Sequence, residues 1–208
     1  MKFVLLVEGA TERAAAAEIL KRWLDPRLNT PVRIQVVAFR GHGEFARKLK
    51  TKARMHLDGP NSSEIIAVVG LLDLYGPSFF PPTLRTVEEK QSWGINHFQQ
   101  MVGHDRFRMY FAVHEFEAWL LCEPAIFPRE VRAEVQRLSA QPEQVNFNDP
   151  PARRLGSIYF RCMKRKYKKT TNGNQLFSGL DAEVAVSKCP YLRAMLEEML
   201  ELARQKGH

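Results

Sequence analysis

Cysteine is scarce in this chain. The three thiols, Cys122, Cys162 and Cys189, are odd in number and widely spaced, with no CxxC pair and no nearby pair of histidines, so neither a disulfide framework nor a zinc site is indicated. Long apolar runs are lacking as well. None approaches the roughly twenty residues of a membrane-spanning helix, and the apolar stretch from Phe3 to Val7 is too short for a secretory signal and runs straight into Glu8. A cytoplasmic protein that does not enter a membrane is the expectation. The phosphate-cradling turns GxxxxGK[ST] and GxGxxG are absent too, which ranks a nucleotidyl or phosphotransfer enzyme last.

Acidic residues are missing from one stretch in particular. Between Arg153 and Lys169 lie Arg153, Arg154, Arg161, Lys164, Arg165, Lys166, Lys168 and Lys169 with no Asp or Glu among them, and Tyr159, Phe160 and Tyr167 are interleaved. The chain as a whole carries a formal net charge of +8. Clustered cations gain by releasing the counterions condensed on a phosphate backbone, and aromatic rings among them can stack on bases. Arg153, Arg154, Lys164, Arg165, Lys166, Lys168 and Lys169 are therefore candidate nucleic-acid contacts, with DNA the expected partner and RNA left open. A solvated helix face is the plain alternative.

What is present is an alternation of short apolar runs and helical periodicities. Lys2 to Val7, Val32 to Phe39, Glu64 to Leu72 and Arg108 to Val113 read as strands, the third a continuous apolar run that needs cover on both faces. Helices are expected over Glu12 to Leu24, from Gly41-His42-Gly43 to Leu57, over Thr86 to Met101 with a weak point at Gly94, and directly from His114 to Leu121. The order predicts a layered α/β fold with a four-stranded, mostly parallel sheet flanked by helices. Residues 1–128 form this α/β core. Residues 129–208 are read as a helical, basic extension packed on it, with helices over Glu130 to Leu138, from Ala152 to an interruption at Thr170 to Asn174, and over Tyr191 to Ala203; a polar loop spans Gln141 to Pro151.

Three of the strands end in acids: Glu8 after the first, Asp73 after the third, and Glu115 with Glu117 after the fourth. Ligands of open α/β sheets bind outside the carboxyl ends of the strands. Carboxylates gathered there repel one another unless a cation joins them, and Mg²⁺ or Mn²⁺, which take oxygen ligands, suit the set. Such an ion orients and neutralises a scissile phosphate and activates a water, so the expected chemistry is phosphodiester cleavage. Glu12, four residues past Glu8 on the first helical turn, is either a further ligand or a first-turn acid favoured by the helix dipole. Glu117 shares a side with Glu115 only if the strand-to-helix junction falls between them. His114 is a proton carrier or, more commonly at a strand end, a structural hydrogen-bonding group.

These motifs carry a resemblance. Val7-Glu8-Gly9-Ala10-Thr11-Glu12 resembles the VEGxTE opening of Toprim domains in OLD-type nucleases, and Leu72-Asp73-Leu74-Tyr75-Gly76 stands where Toprim proteins carry a DxD strand. His114-Glu115-Phe116-Glu117-Ala118-Trp119-Leu120 is similar to the HEFEAxL motif of the Toprim-like bacterial family DUF4276, as are Pro151-Ala152-Arg153-Arg154-Leu155, Tyr167-Lys168 and Lys188-Cys189-Pro190 to its C-terminal pattern. The resemblance implies a Toprim-like fold and a carboxylate-held Mg²⁺ site. In it Glu8 is the Toprim glutamate with Glu12 its helix partner, Asp73 the first DxD acid, Glu115 and Glu117 a third cluster, and Lys168 the catalytic lysine. It also implies a nuclease effector of a phage-defence or DNA-repair system with an AAA/ABC-type ATPase partner, or else a non-catalytic regulatory subunit of such an ATPase. Tyr75 replaces the second DxD acid, which implies one metal, or metal help from Glu115 and Glu117. Nothing in the sequence addresses oligomeric state.

Overall fold

Four strands, β1 (Lys2–Glu8), β2 (Arg33–Phe39), β3 (Ile65–Asp73) and β4 (Phe107–Ala112), form one sheet in the order β2-β1-β3-β4, and every neighbouring pair is parallel. The computed structural model describes residues 1–145 and 149–208, the side chains of residues 10–14 excepted; the expected loop from Gln141 to Pro151 therefore lies partly outside the described residues. Helices α1 (Gly9–Leu24), α2 (His42–Leu57) and α3 (Val87–Val102) connect the strands. After β4 come α4 (Arg129–Gln136), α5 (Pro151–Met163), α6 (Asn174–Gly179), α7 (Ala182–Lys188) and α8 (Pro190–Gln205). This is the layered α/β arrangement expected, consistent with a Toprim-like fold. No helix among the described residues is long and apolar enough to cross a membrane.

Burial explains the strand sequences. The two inner strands are buried at every position except Lys2, Glu8 and Asp73, so both faces must be apolar, whereas edge strand β2 is mostly half-exposed. Side chains alternate between faces. Phe3, Leu5, Val7, Val69, Leu71 and Ala112 face α1 and the helices that follow β4. Val4, Leu6, Val68, Leu72, Met109 and Phe111 face α2 and α3. Residues 129–208 thus share one core with the sheet: Leu192, Met195, Leu196 and Met199 of α8 and Phe177 of α6 belong to the same buried cluster as Leu5 and Val69.

Gly94 is the reason α3 can lie close to the sheet, not a weak point within the helix. A Cβ there would fall 2.5 Å from Cζ of Phe111. The helix starts cleanly because Thr86 and Glu89 form a reciprocal capping box.

Two expected helices come out differently. After β4 the chain forms a 3₁₀ helix over Phe116–Cys122, because His114 takes a left-handed φ of 64° and Glu115 is extended. No α-helical hydrogen bond can begin before that bend is complete. The basic helix, expected to run to about residue 170, ends at Met163, with Lys164 left-handed (φ 56°) and its N–H donating to the Phe160 carbonyl at 3.0 Å. Continued as a helix, Lys164 to Lys169 would crowd like charges at three- and four-residue spacings, with only Tyr167 to bury. A π-helical turn over Lys169–Gly173 then leads into α6, and α6 and α7 are short helices that no periodicity announced.

Candidate metal centre

Parallel register brings the carboxyl ends of the strands to one edge, where Asp73 lies opposite Ala112. The bend after β4 is tied to that edge by backbone bonds: Leu74 N–H donates to the Ala112 carbonyl (3.0 Å) and Tyr75 N–H to the His114 carbonyl (2.8 Å). Asp73 Oδ1 accepts from the Phe116 N–H at 2.8 Å, which fixes the start of the 3₁₀ helix beside β3. Glu115 is extended and Glu117 is in that helix, so the junction falls between them and both side chains reach the same place. All seven residues of the 3₁₀ helix are buried, anchored by Phe116 and Trp119, and Glu117 is carried inside with them.

Asp73, Glu115 and Glu117 each offer a carboxylate oxygen, and the three lie within 4.8 Å of one another. The Lys169 ammonium enters the group, 3.3 Å from Glu115 Oε1 and 3.0 Å from Glu117 Oε2. Glu115 Oε2 accepts the N–H of Ala152 at 2.7 Å, at the second residue of α5. Glu117 is 1% exposed, and its Oε1 is buried with no hydrogen-bond partner among the described residues.

Burial, with the nearby Glu115 charge, raises the Glu117 carboxyl above the usual range against the pull of Lys169. Burial alone would lower the Lys169 ammonium; the Glu117, Asp73 and Glu115 carboxylates outweigh it and raise it. The Tyr167 phenol, half-buried beside the group, is raised by burial and then by the Glu117 charge. Burial lowers the His114 imidazole, which is 3% exposed, and so favours its neutral form.

The donor set fits Mg²⁺ or Mn²⁺: all ligand atoms are oxygen, and an orphaned buried carboxylate oxygen is what a hard cation satisfies. Oxygens bound to one such ion at about 2.1 Å stand no more than about 4.2 Å apart. A group within 4.8 Å needs only small side-chain shifts to close on an ion.

The remaining predicted residues are placed as follows. Glu8 ends β1 on the same sheet edge, but alternation from Leu6 turns it toward α2, where His42 Nδ1 is 3.6 Å from its Oε1; it is not in the group of three. Glu12 is on the first turn of α1, and its side chain lies outside the described residues. Lys168 is exposed, while its main chain builds the π turn: its carbonyl accepts from Thr171, Asn172 and Gly173, and its N–H donates to Asn172 Oδ1. The lysine that reaches the acids is its neighbour Lys169. Only its place two residues after the half-buried Tyr167 could have marked it out. Arg153, Arg154, Lys164, Arg165 and Lys166 are exposed, with Arg154 paired to Asp149 at 3.0 Å.

Compared with known proteins, residues 7–200 match the model of a family described as Domain of unknown function (DUF4276). No curated protein and no solved structure matches.

Proposed function

Since the chain belongs to the DUF4276 family, whose description assigns no activity, we propose from its site that it is a divalent-metal-dependent nuclease of the Toprim type. The observation that carries this reading is the buried Glu117 carboxylate, one oxygen unpartnered, grouped with Asp73, Glu115 and the Lys169 ammonium. A buried carboxylate oxygen costs stability unless it is compensated, and Glu117 Oε1 has no hydrogen-bond partner among the described residues.

Asp73, Glu115 and Glu117 would hold Mg²⁺ or Mn²⁺, which when bound supplies charge stabilisation to a phosphodiester and a more acidic water. Lys169 then has a second anion to pair with. Displaced from the carboxylates by the ion, its ammonium would pair with a phosphate oxygen and offset the charge that develops there. Asp73 keeps the catalytic segment in place through the Phe116 N–H, and Glu115 holds the start of α5, from which the exposed Arg153 and Arg154 face solvent and attract a polyanion. The same proposal covers the setting implied by the sequence resemblance: a cytoplasmic effector of a phage-defence or DNA-repair system working beside an AAA/ABC-type ATPase. A second reading, a nucleic-acid-binding subunit without catalysis, is favoured by Lys169 already lodged among the acids and by Tyr75 in place of an acid.

Incubation with supercoiled, linear and single-stranded DNA and with RNA, in Mg²⁺ or Mn²⁺ against EDTA, separates the two. Cleavage should require the ion and fall by about a hundredfold or more in Glu117→Gln, with the variant melting as a folded protein. Equal cleavage by wild type and Glu117→Gln would refute the site, and binding without cleavage by any ion would establish the second reading.

A further inference from the structure

The loop between β3 and α3 leaves the acid group and builds a groove of about 550 Å³. It begins directly after Asp73, at Leu74. The groove is bounded by Tyr75, Phe80, the Pro81-Pro82 pair, Arg85 and Lys90, and no Asp or Glu lines it. Its geometry is set from both ends. The Tyr75 N–H is held by the His114 carbonyl at 2.8 Å, and the Glu89 carboxylate accepts the Arg85 and Thr86 N–H groups at 2.7 and 3.0 Å. Phe80 packs tilted against Phe79 and edge-on against Trp93, which stiffens the floor. Tyr75 is one of two large exposed aromatic residues among the described residues, at 37%; the other, Phe160, lies on α5, the helix whose first turn Glu115 holds.

An exposed ring next in sequence to the acid group, with Arg85 and Lys90 on the groove beyond it, matches the chemistry of a nucleotide: a flat apolar base and an anionic phosphate. A ring on the protein surface reaches the face of a base only when that base is not stacked inside a duplex. We infer that this groove binds an unpaired nucleotide of the substrate strand, its base stacked on Tyr75 and its phosphate held by Arg85 and Lys90. The nuclease then acts on single-stranded or frayed nucleic acid. Tyr75, read from the sequence as a missing metal ligand, is on this account a substrate contact. The inference rests on the nucleic-acid reading above.

The test is binding in EDTA, read by fluorescence anisotropy, so that cleavage plays no part. Fluorescein-labelled single-stranded DNA and RNA are compared with the same sequences as duplexes and with abasic strands. Wild type should prefer the single strands; Tyr75→Ala should lose about fivefold to a hundredfold of that affinity, Tyr75→Phe should keep it, and abasic strands should be insensitive to either change. Arg85→Gln with Lys90→Gln should weaken single-strand binding whether or not the strand carries bases. Duplex bound as tightly as single strand, or Tyr75→Ala binding like wild type, overturns this inference while leaving the nuclease reading standing. Failure to bind any of the strands overturns both.

Discussion

Lys169 is the residue on which the electrostatics of the site turn. Its ammonium pairs with both Glu115 and Glu117, and its side chain remains 38% exposed while that of Glu117 is 1% exposed. Removing one partner of a fully buried ion pair costs about 3–5 kcal/mol. Solvent screening at Lys169 and protonation of Glu117 reduce this, so Lys169→Met should destabilise the metal-free protein by about 1–2 kcal/mol. An ion that replaces the ammonium should restore the loss. Melting curves should show a larger upward shift with Mn²⁺ in Lys169→Met than in wild type; equal shifts would mean that ion and ammonium do not compete for one place. At this scale the sequence was legible in part. Strand-end acids mark Asp73, Glu115 and Glu117, because apolar runs that stop on a carboxylate are visible in one dimension. Alternation along β1 already turns Glu8 to the α2 face beside His42, whereas the choice of Lys169 over Lys168 depends on an irregular turn that no periodicity encodes.

At the scale of elements, two helices start in the same way. Pro151 opens α5 and Pro190 opens α8, and each has its first free N–H groups capped by a buried glutamate far away in sequence: Glu115 for Ala152, and Glu143 for Tyr191 at 3.0 Å and Leu192 at 3.4 Å. Proline at the first helical position is readable in a sequence. A cap supplied from 37 or 48 residues away is not; α5 and α8 were legible all the same from their apolar periodicity, whereas the 3₁₀ segment, α6 and α7, of six or seven residues each, are too short to show one. Glu143 also carries a testable pH dependence. Burial pushes its carboxyl up to about 7 from 4.5, against the helix N–H groups that favour the anion. Between those values the folded state holds the proton more tightly than the unfolded state. Its contribution is therefore greatest below pH 4.5 and is lost as pH rises through 7. Glu143→Gln cannot ionise, so its stability relative to wild type should improve by about 2–3 kcal/mol between about pH 5 and pH 8. Urea denaturation at the two pH values measures this, and a constant difference would mean that Glu143 does not titrate in that window.

Over the whole molecule, the net charge of +8 is organised by the path of the chain from α5 to Lys169. That path leaves the acid group at Ala152, carries the exposed Arg153, Arg154, Phe160 and Arg161 along α5, and crosses the exposed Lys164, Arg165, Lys166 and Lys168. It returns to the acid group at Lys169. On the proposed nucleic-acid reading, a phosphate backbone following these cations would be led to the carboxylates at either end. The cations are not equivalent, because Arg154 is paired with Asp149 and Arg161 with Glu134 at 2.9 Å, so their charge is partly neutralised within the protein. Removing a cation that meets a phosphate flattens the slope of log K against log salt by about one unit. Arg153→Gln combined with Lys166→Gln should therefore flatten the salt dependence of nucleic-acid binding by about two units, with stability changed by less than about 0.5 kcal/mol, as for other exposed positions. Arg161→Gln should have a smaller effect than either of these alone, since Glu134 already shares that charge. A slope equally affected at Arg161, or unaffected at Arg153 and Lys166, would place the polyanion on another face of the protein.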